Sequence, residues 1–344
     1  MNKKIKISII GLGLMGMQHL KAMQNSKKAK LHSIVDVNKK LKIHAKKFNI
    51  PFYNNSKELL TNRPDAVIIA TPSQFHKHNA LFFLKLKIPI LLEKPISDNI
   101  FSAKKIINSS KKNKTPLLIG YHRRHNSIIT SVKKKIDKGQ FGRIVSVNII
   151  CWLYKHKEYF KKKWRIQKGG GPLGINLVHD LDLLCYLLGP VKYVQAMTSN
   201  LFRKHKVEDT AIVNLVLKSG ALCNLNISDT IVSPWSYELT AGENPAYPIT
   251  NQSAYYIGGT KGSIQFPNIK YWYNKGEGSW WKKIFYKKEN MKLSTNTLVN
   301  QIEHLCDVVS KKSKPIVSGD DGLMSLKIFE AIKRSAKNGK KIKI

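Results

Sequence analysis

Acid is what this chain has least of. Only 21 of its 344 residues are Asp or Glu, against 60 Lys and Arg, which leaves a formal net charge of +39. Arginine is scarce as well: Arg63, Arg123, Arg124, Arg143, Arg165, Arg203 and Arg334 are the whole set. Surfaces that read bases or phosphates lean on arginine's planar fork. Here lysine is spread along the entire chain beside abundant Asn and Ile, a trio that an A/T-rich genome supplies. That is a solvated lysine coat, and it argues against a specific nucleic-acid partner. No run approaches the roughly 18 apolar residues of a membrane helix. The apolar stretch near the N-terminus is too short for a signal peptide, so a cytoplasmic protein with no membrane partner is expected. The four cysteines, Cys151, Cys185, Cys223 and Cys306, lie far apart with no CxxC pair. They read as reduced thiols, and no metal site is expected.

What is present is a core and a plan. A chain of this length with 42% hydrophobic residues is expected to form two domains. Ile5 to Ile10 is a short β-branched run, as in a buried parallel strand. It leads into Gly11-Leu12-Gly13-Leu14-Met15-Gly16 and then a helix-like stretch. In such a G-x-G-x-x-G the first glycine turns the chain and the second admits a pyrophosphate. The third lets helix and strand pack closely, which leaves Leu14 and Met15 at the positive end of the helix. A second strand ends at Asp36, twenty residues after Gly16, where a carboxylate accepts the hydroxyls of an adenosine ribose. Asp36 also repels a 2′-phosphate, so NAD is favoured, with NADP as the alternative because Lys39 and Lys40 lie nearby. Further β–α units follow through Pro64–Ala70, Ile88–Leu92 and Thr115–Gly120. The expectation is a doubly wound parallel sheet of the Rossmann type over 1–122. The Thr71-Pro72 turn and Lys94 fall at strand carboxyl ends, where ligands bind in such sheets.

These residues, with several later ones, resemble the glucose–fructose oxidoreductase / inositol dehydrogenase family, Gfo/Idh/MocA. The resemblance rests on Gly11 to Gly16, Ala70-Thr71-Pro72 with His76, Glu93-Lys94-Pro95, Gly120-Tyr121-His122-Arg123-Arg124, and Gly169-Gly170-Gly171 leading to His179 and Asp182. It implies an NAD(P)-dependent dehydrogenase acting on the CH–OH of a sugar, cyclitol or sugar derivative, usually a homodimer or homotetramer. It also implies cofactor contacts from Thr71, Pro72, His76, Glu93 and Lys94, with Lys94 reaching both nicotinamide ribose and substrate oxygen. The Lys-Pro bond is often cis in this family.

From Gly142 onward the order of elements changes. One helix, Gly174 to Leu188, precedes strands near Val191–Thr198, Asp209–Leu217, Ala221–Ser228, Ser236–Thr240 and Gly262–Phe266. This predicts an α+β domain over 123–344 with a mostly antiparallel sheet. Oxidising an alcohol needs a base for the hydroxyl proton, and an imidazole titrates in the right range. His179, in the first turns after the glycine run, is the expected base, with Lys94 as the second catalytic residue. Many polyol-oxidising members carry Asp four residues before this histidine, and here that position is Ile175. Either Asn176 binds the substrate hydroxyl, or Asp180 or Asp182 orients His179. Arg165 and Trp235 are the expected substrate contacts from a wall that draws on Trp152, Trp164 and Tyr237. Two other readings stand beside this one: a nucleotide-sugar dehydrogenase of envelope-sugar biosynthesis, and a non-catalytic cofactor-binding regulator.

Overall fold

Six short, mostly apolar strands organise the first half of the chain. The computed structural model describes residues 3–167, 169–289 and 296–344. In chain order the first elements are β1 (Ile5–Ile10), α1 (Leu14–Gln24), β2 (Ala29–Val35), α2 (Lys42–Lys47), β3 (Phe52–Tyr53), β4 (Ala66–Ile69), α3 (His76–Lys85), β5 (Ile90–Leu92), α4 (Ile100–Lys112) and β6 (Leu117–Ile119). The strands pair in parallel in the order β3-β2-β1-β4-β5-β6. Because helices cover both faces, β4 to β6 are buried throughout and read as continuous apolar runs. The chain leaves β1 for β2 on one side and returns to β4 on the other. That reversal opens a crevice at the strands' carboxyl ends.

The elements that follow are α5 (Ser127–Asp137), β7 (Ile144–Trp152), α6 (Val178–Leu188), β8 (Val191–Ser199), β9 (Thr210–Leu217), β10 (Leu222–Ser228), α7 (Tyr237–Thr240), β11 (Ser253–Gly259), β12 (Gly262–Pro267), β13 (Lys270–Tyr273), β14 (Phe285–Lys288), α8 (Thr297–Val309), α9 (Gly319–Asn338) and β15 (Ile342–Lys343). Nine strands form a second sheet in the order β14-β13-β12-β11-β7-β10-β9-β8-β15. All its pairings are antiparallel except β7 with β10. Burial in β9 alternates with period two, as in a sheet covered on one face. The uncovered side carries Met197 and Leu222, each more than half exposed.

Two expectations are corrected here. The second domain was expected to run unbroken from 123 to 344. Instead one compact unit comprises Met1–His125 with Asn296–Leu326, and the other Asn126–Thr295 with Lys327–Ile344. The apolar face of α8 explains this: Ile302, Leu305, Cys306 and Val308 join Leu20 and Met23 of α1 and Ile7 and Ile9 of β1 in one core. An amphipathic helix shows in sequence that it needs a partner, but not which one. Second, Ser236–Thr240 was expected as a strand and is a helical turn. The Ser236 hydroxyl accepts from the Leu239 amide, and Glu238 lies in the first turn. A serine cap and a first-turn acid outweigh the β-preference of Tyr237 and Thr240.

Candidate active site

At the end of β1 the chain turns through Gly11, whose φ of +89° suits glycine alone, and starts α1 at Leu14. A Cβ on Gly16 would lie 2.1 Å from the Gly11 carbonyl oxygen, so only glycine lets the helix cross the strand end this closely. A Cβ on Gly13 would meet nothing within 4 Å. The first turn of α1 carries no acid and no side-chain cap. Its exposed amides and positive dipole end therefore fit a pyrophosphate approaching over Gly13, beside Leu14 and Met15. Asp36 is fixed from both sides: Oδ2 accepts from the Leu12 amide at 2.7 Å and Oδ1 from the Asn38 amide at 2.8 Å. The carboxylate is thus tied to the glycine turn. Each oxygen keeps a lone pair for a ribose hydroxyl.

The next two strand ends are braced by histidines. Thr71 and Pro72 follow β4, and the expected cofactor contact His76 is only 1% exposed. Its Nδ1 lies 2.9 Å from the Pro95 carbonyl and its Nε2 2.8 Å from the Thr71 carbonyl. His76 therefore lies between the segments after β4 and β5 and braces them. Burial drives its pKa down, against the pull of those carbonyls. Glu93 is braced in a similar way. It is buried, with Oε1 2.7 Å from His19 Nε2 on α1. Burial pushes the Glu93 carboxyl up, but the His19 hydrogen bond and charge, with Lys94 and His122, outweigh it and hold it below the usual range. His19 has no motif of its own and was missed. Lys94, half-buried, forms with Pro95 the cis peptide bond that the family resemblance implied.

In the second unit, the glycine run brings the chain against Glu208, where a Cβ on Gly171 would lie 2.5 Å from the carboxylate. Glu208 in turn accepts from the Leu173 amide at 3.1 Å. A π-helical turn, Leu173–Leu177, then leads into α6. His179 is the second residue of α6 and is 8% exposed. Asp180, buried, accepts the Tyr255 hydroxyl. Asp182 is also buried, and a spacing of three places it on the same helical face as His179.

Asn176 donates through Nδ2 to Glu238 Oε1 at 2.9 Å. The amide oxygen is left to accept from another group. Arg165, Ile175 and Asn176 line one small cavity with Lys155, Tyr159 and Asp229. Trp235 is not among its lining residues; it packs edge-on against Trp152 at 5.7 Å. Lys155, Glu238, Asp229 and Arg203 were missed in the sequence. Lys155 looks like any other lysine there. The acids had a signal, because each carboxylate is conspicuous in so basic a chain.

Residues 5–121 match the NAD-binding Rossmann fold of an oxidoreductase family, and residues 133–344 match that family's C-terminal alpha/beta domain. The chain belongs to the Gfo/Idh/MocA oxidoreductase family. It is similar to myo-inositol 2-dehydrogenase of Thermotoga maritima, at 24% identity over 99% of this chain and 98% of that protein. D-apiose dehydrogenase of Rhizobium rhizogenes is 24% identical over the same shares. Among solved structures, WlbA dehydrogenase of Bordetella pertussis with NADH and UDP-GlcNAcA superposes with a TM-score of 0.78 at 24% identity, covering 99% of both chains. An Agrobacterium radiobacter oxidoreductase with NAD+, L-tartaric acid and magnesium gives 0.83 at 22% identity, over 99% of this chain and 98% of that one. The Gfo/Idh/MocA chain described here is an NAD(P)-dependent oxidoreductase whose relatives act on diverse sugars and cyclitols.

Proposed function

We propose that this protein is an NAD-dependent dehydrogenase that oxidises a secondary hydroxyl of a sugar, cyclitol or sugar derivative. One observation carries the reading. The ends of three adjacent parallel strands, β1, β4 and β5, set Gly11–Gly16, Thr71-Pro72 and Lys94 side by side along one sheet edge. NAD, when bound, supplies the hydride acceptor. In the forward direction the carbinol carbon loses hydride, its hydroxyl loses a proton, and a ketone remains. His179 takes the proton and Lys94 holds the substrate oxygen. The ammonium charge of Lys94 stabilises the developing alkoxide. Asp182, on the same helical face, is the acid that orients His179, because Asp180 is engaged by Tyr255. Asp36 sets the preference for NAD over NADP.

The uncovered face of the nine-stranded sheet, with Met197 and Leu222, is the surface through which copies of the chain associate as a dimer or tetramer. Light scattering after size exclusion would read that. The catalytic reading is tested by following NADH formation with a panel of polyols and sugars. No NADH from any member, together with tight NAD binding, would favour a cofactor-binding regulator.

A further inference from the structure

The loop between β13 and β14 puts tryptophan where chains usually put small polar residues. The Lys282 amide donates to the Ser279 carbonyl at 3.1 Å, which closes a turn with Trp280 and Trp281 at its centre. Turn centres favour Gly, Asn, Asp, Pro and Ser, whose backbones or short side chains suit them. Trp280 is 84% exposed and Trp281 78%, and their ring centres lie 3.9 Å apart. Ile284 and Tyr286 follow, each 59% exposed. Exposed apolar area concentrated in this way marks a docking surface.

The hairpin is also an edge of its sheet, and it is basic. β14 is the outermost strand, beyond β13 and β12. From Lys270 to Lys288 the chain has six lysines, one glutamate and no arginine. Two of the ammonium groups rest on the hairpin's own rings. Lys270 Nζ lies 3.9 Å from the Tyr286 ring centre, and Lys275 Nζ 4.5 Å from that of Phe285. Apolar surface and positive charge are therefore interleaved in one element.

These features select a partner. A second copy would bring lysine against lysine, and a chain with only 21 acids has little to set against them. A nucleic acid could stack bases on the tryptophans. It gains nothing from Ile284, however, and the arginine fork that binds phosphates is missing. An anionic bilayer meets every part. Tryptophan sits at the boundary of headgroup and acyl chain, an aliphatic side chain enters it, and lysines meet the lipid phosphates. No helix among the described residues is long and apolar enough to cross a membrane, so the contact is with the surface. The expectation of no membrane partner rested on the lack of a spanning segment, which a docking hairpin does not need.

We propose that the β13–β14 hairpin docks the protein on an anionic phospholipid surface, with Trp280 and Trp281 at the headgroup boundary and the hairpin lysines on the lipid phosphates. This goes beyond the dehydrogenase reading and does not depend on it. Lysines elsewhere on the chain add attraction of the same sign. What distinguishes the hairpin is its need for tryptophan.

The test is co-flotation of the full chain with vesicles of phosphatidylglycerol and phosphatidylcholine, beside vesicles of phosphatidylcholine alone. Binding to the anionic vesicles is expected, with a blue shift of tryptophan emission. It should be lost in about 1 M salt, where charges are screened beyond about 3 Å. Replacing both tryptophans, Trp280→Ser with Trp281→Ser, keeps every lysine and should lower the partition coefficient about tenfold or more. Melting temperature and NADH binding should stay as in the unchanged protein. Trp281→Ser alone carries the test if the double variant does not fold. No flotation, or equal flotation with both kinds of vesicle, overturns the proposal. Flotation that is unchanged without the tryptophans also overturns it, because the lysine coat would then account for binding. So does tryptophan-dependent binding of a single-stranded oligonucleotide without vesicle binding. A smaller assembly in size exclusion once the tryptophans are gone would make the hairpin a contact between copies, and overturns it as well.

Discussion

The strand-end site of the first unit and the cavity behind the glycine run of the second are built in opposite ways. The first is made of backbone: glycine turns, helix amides and carboxylates that accept from main-chain N–H groups, as Asp36 does from Leu12 and Asn38. Its histidines serve the same end, since His76 sits between the Thr71 and Pro95 carbonyls and can donate to one of them, and His19 holds Glu93. The cavity is made of side chains from well-separated segments: Lys155 after β7, Arg165 before the glycine run, Asn176 ahead of α6, and Glu238 in α7. A ligand common to many enzymes can be met by local chain geometry, which varies little. A ligand particular to one enzyme is met by side chains, which change freely on the same fold.

If that contrast holds, the largest single loss should come from the proton-transfer residue. His179→Ala should lower turnover by about 10²–10⁴ with NAD affinity almost unchanged, read by steady-state kinetics beside NADH fluorescence titration. Near-normal turnover across the pH range would make His179 a packing residue of α6.

Next in size is a break in the first unit made far away in sequence. Leu305 is fully buried in the core shared by α8 and α1. Leu305→Ala should cost about 2–5 kcal/mol in denaturant unfolding and weaken NAD binding, because α1 carries the glycine turn. A stability loss with unchanged cofactor affinity would separate α8 from the site.

A smaller effect is expected on specificity. Asp36→Ala should raise KM for NAD about tenfold and leave NADP less affected, since an acceptor is lost for one and a repulsion removed for the other. Equal changes for both cofactors would mean that Asp36 serves only to fix Leu12.

The smallest effect concerns pH. The His76 pKa is lowered in the folded chain, so below the ordinary histidine value of about 6.5 the unfolded chain binds more protons and stability falls with pH. Glu93 is also lowered, and its contribution is kept above the ordinary glutamate range and lost as pH falls through its folded value. Melting temperatures should drop first near pH 6.5 and again below about pH 4.5. His76→Gln should flatten the first drop alone. An unchanged profile in that variant would assign the drop elsewhere, with His304, also lowered by burial, as the next residue to replace.

The sequence by itself determined the parts in which neighbours along the chain do the work. β1, the glycine turn, α1 and Asp36 fall within one βαβ unit, and the β–α alternation of the first unit follows from short apolar runs separated by turns. The position of Lys94 after a buried strand was legible for the same reason, as was His179 on the helix after the glycines. Only the tertiary structure decided which distant segments meet. It assigned α8 to the first unit, turned Ser236–Thr240 into a capped helical turn, and made struts of His76 and Glu93. It also singled out Lys155 from the other lysines. Burial and charge balance are sums over many segments, and no local pattern of residues encodes them.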